Sequence, residues 1–458
     1  MINNNRHHQL PLPSSIVSSV QHHPSHSQLS SPTPAPPSPA AEISMDPRVW
    51  RRLPPPLVDR ILACLPTPSF LRCRAACRRF YSLLFSSPFL HSHLLLSPHL
   101  PFFAFLPHQQ QPPSSHLLLF NPLSAQAQAQ AQARESAWSL LPLQLPAFFA
   151  PAAASGGLLA FVSSAPGHKT LLLVNPITRL MAALPLCPGQ RLCPTVGLAA
   201  GPTSIVAVVA GDDLVSPFAV KNISADTFVA DAGSVPSSGF WRAPASLLPR
   251  LSSLDPRHGM AFASGRFYCM SEAPYGVLEY DVAGNAWRKL QPPMRRFLRW
   301  PALVELGGHG RGEGSSSSSR VGLVACVEKS RLSVPRSVRV WTLRNGTGTG
   351  NAGAWSEVAR MPEEIHARFA AAEAGRGFEC AAHGDFVVLA PRGGAAGAEV
   401  LVFDARREEW RWAPPCPYVV GGGGEGFRVV PYEPRLATPA VGLLDAATPV
   451  ALQHGMHG

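Results

Sequence analysis

Charge is scarce in this sequence. Of 458 residues, 15% are Asp, Glu, Lys or Arg while 46% are hydrophobic, which argues against a disordered polymer and for a globular chain with a large core. Cysteine is equally thin as a framework. The nine thiols are odd in number and include no CxxC pair, so neither a disulfide scaffold nor a zinc site is implied, and a reducing compartment fits. Long apolar runs are missing. The most apolar region, Leu140 to Ser164, is broken by Pro142, Pro146 and Pro151, too interrupted for the roughly 20 residues of a membrane span. The N-terminus is rich in His, Ser and Pro and has no apolar signal core. A soluble intracellular protein is expected. Long helices are also excluded, because 49 Pro and 37 Gly demand many short elements separated by turns.

Catalytic signatures are wanting as well. There is no GxSxG elbow, HExxH pair or GxxxxGK[ST] loop, and the glycines around Gly308 do not fit GxGxxG. Gly211-Asp212-Asp213 reads as a turn rather than a pair of acids. Cys73 and Cys77, spaced to share a helix face, lack two further ligands and read as small core or interface residues. The acceptor patterns at Asn222-Ile223-Ser224 and Asn345-Gly346-Thr347 presuppose secretion, which the N-terminus denies. His7-His8 and His22-His23 fall in a polar tail and read as solvated. No enzyme, metal or cofactor is expected.

What is present divides the chain. Residues 1–44 have too few aliphatics to repay the entropy of ordering and are expected to form a disordered tail, with Met45 marking where structure begins. From Arg51 to Leu96 the pattern is helical. Pro54, Pro55 and Pro56 suit a first turn, where a missing N–H costs nothing. Leu57, Ile61, Leu62 and Leu65 then recur at helical spacing, and Pro66 ends that helix. Ser69 is placed to cap a second helix, Phe80, Tyr81, Leu83 and Leu84 form a further apolar face, and Ser86-Ser87-Pro88 starts another helix. About fifty residues can hardly bury so many large side chains, so apolar surface should remain for a partner.

Beyond residue 97 the period changes to short apolar runs between Gly, Pro, Asn and Asp, as for strands. A longer unit repeats: an apolar strand ending in Asn or Asp, a second strand usually bearing Trp, then Pro. It reads "LLLFNP" with "AWSLLP", "LLLVNPITRLMAALP", "FAVKNISADTFVAD", "VLEYDVAGNAWRKLQPP", "VRVWTL" with "AWSEVARMP", and "VLVFDARREEWRWAPP". Asn121, Asn175, Asp281 and Asp404 mark the same turn. A period of roughly 50–60 residues with four strands per unit is the arithmetic of kelch-type propeller blades. Glycine-bearing strands at Gly157, Gly259 and Gly377 are expected to open blades. "GFRVVPY" and "AVGLLD" near the C-terminus would form a seventh blade or close the first, since an open ring leaves a sheet edge exposed. The expected architecture is mainly β with a small all-α domain: 45–97 helical, 98–445 a propeller of six to seven blades, and 446–458 a flexible tail. The Ala125–Ala133 run and the Gly307–Ser319 loop are expected to be mobile insertions.

The net charge of +11 is local rather than general. Met45 to Ser97 carries eight Arg against Asp46 and Asp59, giving +6; Asn285 to Asn345 carries twelve Lys and Arg against Glu305, Glu313 and Glu328, giving +9. Arg295, Arg296 and Arg299 stand among aromatics after a blade's last strand, and Lys329, Arg331, Arg336 and Arg339 follow in a connection between strands. On one propeller face they would form a patch for phosphates or an acidic protein surface.

"LPPPLVDRILACLPTPSFLRCRAACRRFYSLL" resembles an F-box, through its Leu-Pro start, amphipathic first helix and later Cys-Arg-Arg-Phe-Tyr. Followed by kelch-type blades, it resembles the plant F-box/kelch family, and within it the Unusual Floral Organs and Aberrant Panicle Organization proteins through "MDPRVWRRLP", "SPFAVKNISADTF", "PPMRRFLR", "SVPRSVRVWTLR" and "GFECAAHGDFVVLAP". The resemblance covers nearly everything after Met45. It departs at Pro56 and in the basic pair Arg72 and Arg74. It implies that Leu53, Pro54, Leu57, Ile61, Leu62 and Leu65 contact a Skp-type adaptor of a cullin-RING (SCF) ubiquitin ligase. It further implies a LEAFY-type transcription factor as the propeller's partner, a role in floral and inflorescence meristems, a location in the nucleus with cytoplasm as a second compartment, and no membrane. A ligase-independent co-regulator, with basic loops on the factor and on DNA directly or through it, is the other reading implied. A propeller enzyme or glycan binder ranks last.

Overall fold

A computed structural model of the chain describes residues 52–107, 116–126, 137–143, 145–146, 148–201, 204–212, 223–231, 239–242, 253–272, 275–307, 319–328, 335–344, 354–393, 399–418 and 427–437. The two expected tails, the "AVGLLD" segment, and most of the Ala125–Ala133 and Gly307–Ser319 insertions lie outside these residues.

Four helices come first: α1 (Pro55–Ala63), α2 (Thr67–Cys73), α3 (Arg78–Ser82) running into a 3-10 turn at Leu83–Phe85, and α4 (Ser87–Leu96). Pro55 and Pro56 occupy the first turn of α1, where no N–H is needed. Two boundaries differ from the sequence reading. The first helix already ends at Ala63, and Pro66, extended at ψ 145°, caps the second instead of ending the first, its carbonyl accepting from Ser69 and Phe70 N–H. Ser69 therefore lies inside α2. Cys73 and Cys77 do not share a helix: Cys77 caps α3, with its Sγ accepting from Phe80 N–H at 3.4 Å, because the chain turns at residues 74–76. Ser86 caps α4 as expected. The helices bury Val58, Leu62, Phe70, Leu83, Phe89 and His93, with Phe70 and Phe89 ring centres 5.0 Å apart.

Six four-stranded antiparallel sheets follow, so the ring has six blades. The inner strands, each in contact with the next around the ring, are Phe427–Tyr432, Phe149–Ser155, Thr195–Ala200, Ala261–Ala263, Leu298–Leu306 and Phe378–His383. The "GFRVVPY" strand closes the first blade: Phe427–Tyr432 pairs with Phe102–Pro107 over six residues. Second strands such as Phe102–Pro107 and Phe386–Pro391 read as unbroken apolar runs because each blade is packed on both faces by its neighbours. Gly157 does not open its blade. It sits with Gly156 in the turn between the first and second strands, at φ +84° and +56°, where a side chain would be strained.

The repeat seen in the sequence is the outer half of each blade. Asn121, Asn175, Asp281 and Asp404 each accept from the N–H groups two and three residues ahead, at 3.0 to 3.4 Å, turning the third strand into the fourth. Directly across that turn, Phe120 faces Trp138, Phe228 faces Trp241, Tyr280 faces Trp287 and Phe403 faces Trp410, with ring centres 4.6 to 5.5 Å apart. Two of these indoles, and Trp355 on the outer strand of the fifth blade, reach back to the preceding blade: Trp138 donates to Pro414 O, Trp241 to Pro185 O and Trp355 to Gln291 O, at 2.8 to 3.1 Å. The Trp-then-Pro spacing is a staple between blades.

The helices join the propeller at Phe102, which lies opposite Tyr432 at the finish of the closing strand. They therefore stand at the end carrying the Asn/Asp turns. The blade-to-blade connections and second-to-third-strand loops form the opposite end.

Candidate docking surfaces

The helical domain presents one apolar edge to solvent. Leu57 and Ile61, one turn apart on α1, are 50% and 39% exposed. Pro54 is exposed, and Leu53 and Leu65 are half-buried. Leu62, one residue round the helix from Ile61, is 4% exposed and belongs to the helices' own core, so it supports this edge from beneath. Two exposed aromatics lie outside the expected set: Tyr81 and Phe85, the latter 73% exposed, pack edge to face at 5.6 Å. Their spacing of four was the signal available in the sequence. Arg79 binds α3 to α1, donating to Asp59 at 2.5 Å and to Pro55 O at 3.1 Å, so both apolar pairs ride on one scaffold. Arg60, Arg72, Arg74 and Arg78 are exposed on the same helical domain. Exposed apolar side chains together with exposed arginines on one small domain suit an acidic protein partner.

The same helical domain is sewn to the propeller through α2 and α4. Thr67 Oγ1 donates to Pro434 O at 2.8 Å, and the buried Arg435 donates to Leu94 O at 3.2 Å and reaches the His99 ring. Burial pushes the Glu433 carboxyl up, but the bond to His99 and the charge of Arg435 outweigh it and hold Glu433 below the usual value.

The second surface lies at the far end of the propeller. Arg295–Phe297 forms a 3-10 turn between the fourth and fifth blades, bracketed by Met294 and Trp300, both non-glycine residues at φ +48°. Trp300 is accommodated because a Cβ on Gly377 would come within 2.9 Å of its ring. Arg339, on the third strand of the fifth blade, lies 3.7 Å from Met294 Sδ, so the structure unites Arg295, Arg296, Arg299 and Arg339. Arg336 is the extra residue where the ladder slips between Ser337 and Pro335. Lys329 and Arg331 lie outside the described residues. The patch is less positive than its residues suggest: Arg299 pairs with Glu328 at 2.8 Å while stacking 4.7 Å from the Trp300 ring centre, and Arg339 pairs with Glu357 at 3.0 Å. Arg296 is exposed beside exposed Met294 and Phe297, and these supply the reachable charge and apolar surface.

A channel along the axis, touched by all six inner strands, widens toward the helices into a cavity of about 290 Å³ lined by Gly157, Glu305, His383 and Glu433. Among the described residues no three His, Cys, Asp or Glu side chains are grouped to hold a metal, and no helix is long and apolar enough to cross a membrane.

Comparison with known proteins adds to this geometry. The F-box domain family matches residues 50–92. ABERRANT PANICLE ORGANIZATION 1 of Oryza sativa subsp. japonica is 72% identical over 433 residues, spanning 92% of this chain and 96% of that protein. UNUSUAL FLORAL ORGANS of Arabidopsis thaliana is 43% identical over 418 residues, spanning 88% and 89%. Among solved structures, TolB from Acinetobacter baumannii aligns over 72% of this chain and 66% of its own, with 12% identity and a TM-score of 0.38.

Proposed function

Because the chain belongs to the plant F-box protein family of ABERRANT PANICLE ORGANIZATION 1 and UNUSUAL FLORAL ORGANS, we propose that it is the substrate-recognition subunit of an SCF-type ubiquitin ligase acting in floral and inflorescence meristems. The observation that carries the reading is that Leu57 and Ile61, one turn apart on α1, stay exposed on helices that are fastened to the propeller elsewhere. A Skp-type adaptor is the partner for that edge. The Arg296 surface, at the other end of the propeller, takes the client, a LEAFY-type transcription factor in the nucleus.

A second reading, a co-regulator that uses its client without destroying it, draws support from this separation: adaptor and a factor on DNA could be held together, with Arg295 and Arg296 near phosphate. The protein carries no catalytic step in either reading. Replacing both Leu57 and Ile61 by Asp should weaken capture of a purified Skp-type adaptor by more than about tenfold, since each buried aliphatic contributes about 1.5–3 kcal/mol, while thermal unfolding stays near wild type. Undiminished capture would overturn the adaptor assignment. Arg295→Glu with Arg296→Glu should weaken assembly with factor and DNA and flatten its salt dependence, leaving adaptor capture intact.

A further inference from the structure

The segment after the closing strand does more than end the chain of blades. Glu433–Ala437 runs between the second blade and the helices, and Arg435, Leu436 and Ala437 are buried. On the blade side, Asn175 Nδ2 donates to Arg435 O at 3.2 Å, and Gly157 leaves the space in which the Arg435 side chain lies, a Cβ there falling 2.7 Å from Arg435 Cβ. On the helix side, Arg435 donates to Leu94 O and Pro434 O accepts from Thr67. Glu433 pairs with Arg435 at 2.7 Å and also engages His99 in the linker from α4 to the first strand. One short segment thus touches α2, α4, the linker and the second blade.

We propose that Glu433–Ala437 is a strap that fixes the direction in which the apolar edge of the helical domain faces relative to the propeller, with Arg435 as its positioning residue. The inference deepens the adaptor reading, because a fixed helical domain sets where the ligase stands relative to a client on the far end. Bonds from Arg435 to a helix carbonyl, and from a blade side chain to its own carbonyl, let neither body rotate without breaking one of them. The helices keep their own aromatic core, so losing the strap should free their orientation without unfolding them.

The test is a distance distribution in the full-length protein, by electron spin resonance between labelled amino acids at exposed Ser82 and Glu409. Wild type should give one narrow distribution. Arg435→Met should lose it, while adaptor affinity and circular dichroism are unchanged. Gly157→Ala, which crowds the strap from the blade side, and Thr67→Val, which releases it from the helix side, should broaden it too, and they decide the matter if the Arg435 variant fails to fold. A broad wild-type distribution, or a narrow one in all folded variants, overturns the strap. Failure of the wild type to bind a Skp-type adaptor would instead overturn the adaptor reading and leave the distance result standing.

Discussion

At the scale of a residue, His93 shows how the helical core limits the molecule in acid. Its ring lies 5.7 and 5.9 Å from those of Phe70 and Phe89, wholly buried, and neither nitrogen makes a well-formed hydrogen bond. Burial, then the nearby charge of Arg435, pushes its pKa down to about 4 against a weaker pull from the Leu65 carbonyl. The unfolded chain takes up this proton near pH 6.5, so stability from the neutral ring is complete above 6.5 and falls as pH drops toward 4. By pH 5 the loss should reach about 2 kcal/mol. Glu433, held below its usual value, contributes only to losses at lower pH, as its own carboxylate protonates. Unfolding followed by amide exchange in α4 at pH 7.5 and pH 5 should therefore show a drop in wild type that His93→Phe largely abolishes; an equal drop in both would refute the assignment. Residues of this kind were hard to see in sequence. Leu57 and Ile61 declared themselves by spacing, whereas Leu62 differs from Ile61 only by one step of rotation round the helix, and the partner that discharges Arg339, Glu357, is eighteen residues away on another strand.

At the scale of an element, the outer hairpins of the blades were legible because what makes them is local: an Asn or Asp that bonds its own turn in four blades, and an aromatic directly opposite a Trp in four. The strands nearer the axis were harder. On the second strands apolar packing covers both faces, so alternation vanishes, and Gly157, expected to open a blade, instead turns the first strand into the second. The indole staples add a testable asymmetry. Trp138, buried and bonded to Pro414 O, should cost about 1–2 kcal/mol when changed to Phe, since the carbonyl loses its partner and the smaller ring leaves a void. Trp410, half-buried and stacked on Phe403, should lose less with the same change. Urea midpoints of the two variants compare them directly, and a larger loss at Trp410 would mean that stacking, not the inter-blade bond, holds the outer strands.

At the scale of the whole molecule, the feature least visible in sequence is that one stretch, Phe427 to Ala437, performs two closures: its strand completes the ring against Phe102–Pro107, and its strap seizes the helices. The partners lie more than three hundred residues apart, and no local pattern announces them. This changes how the adaptor and co-regulator readings must be separated. Deleting residues 50–92 removes Thr67 along with the apolar edge and breaks up the helical cover over Pro434 and Arg435. The Pro434 carbonyl loses the Thr67 hydroxyl that satisfies it, and the loss of a buried hydrogen-bond partner costs stability. The deleted protein should unfold several degrees below the full chain, and any loss of client assembly would report a damaged propeller rather than a missing ligase. Leu57→Asp with Ile61→Asp touches neither the strap nor Arg435 and leaves the ring at its full unfolding temperature. If that double variant loses the adaptor yet still assembles with the transcription factor and DNA and drives target expression, the client is used and not destroyed; if expression changes in step with adaptor loss, the ligase is the working form.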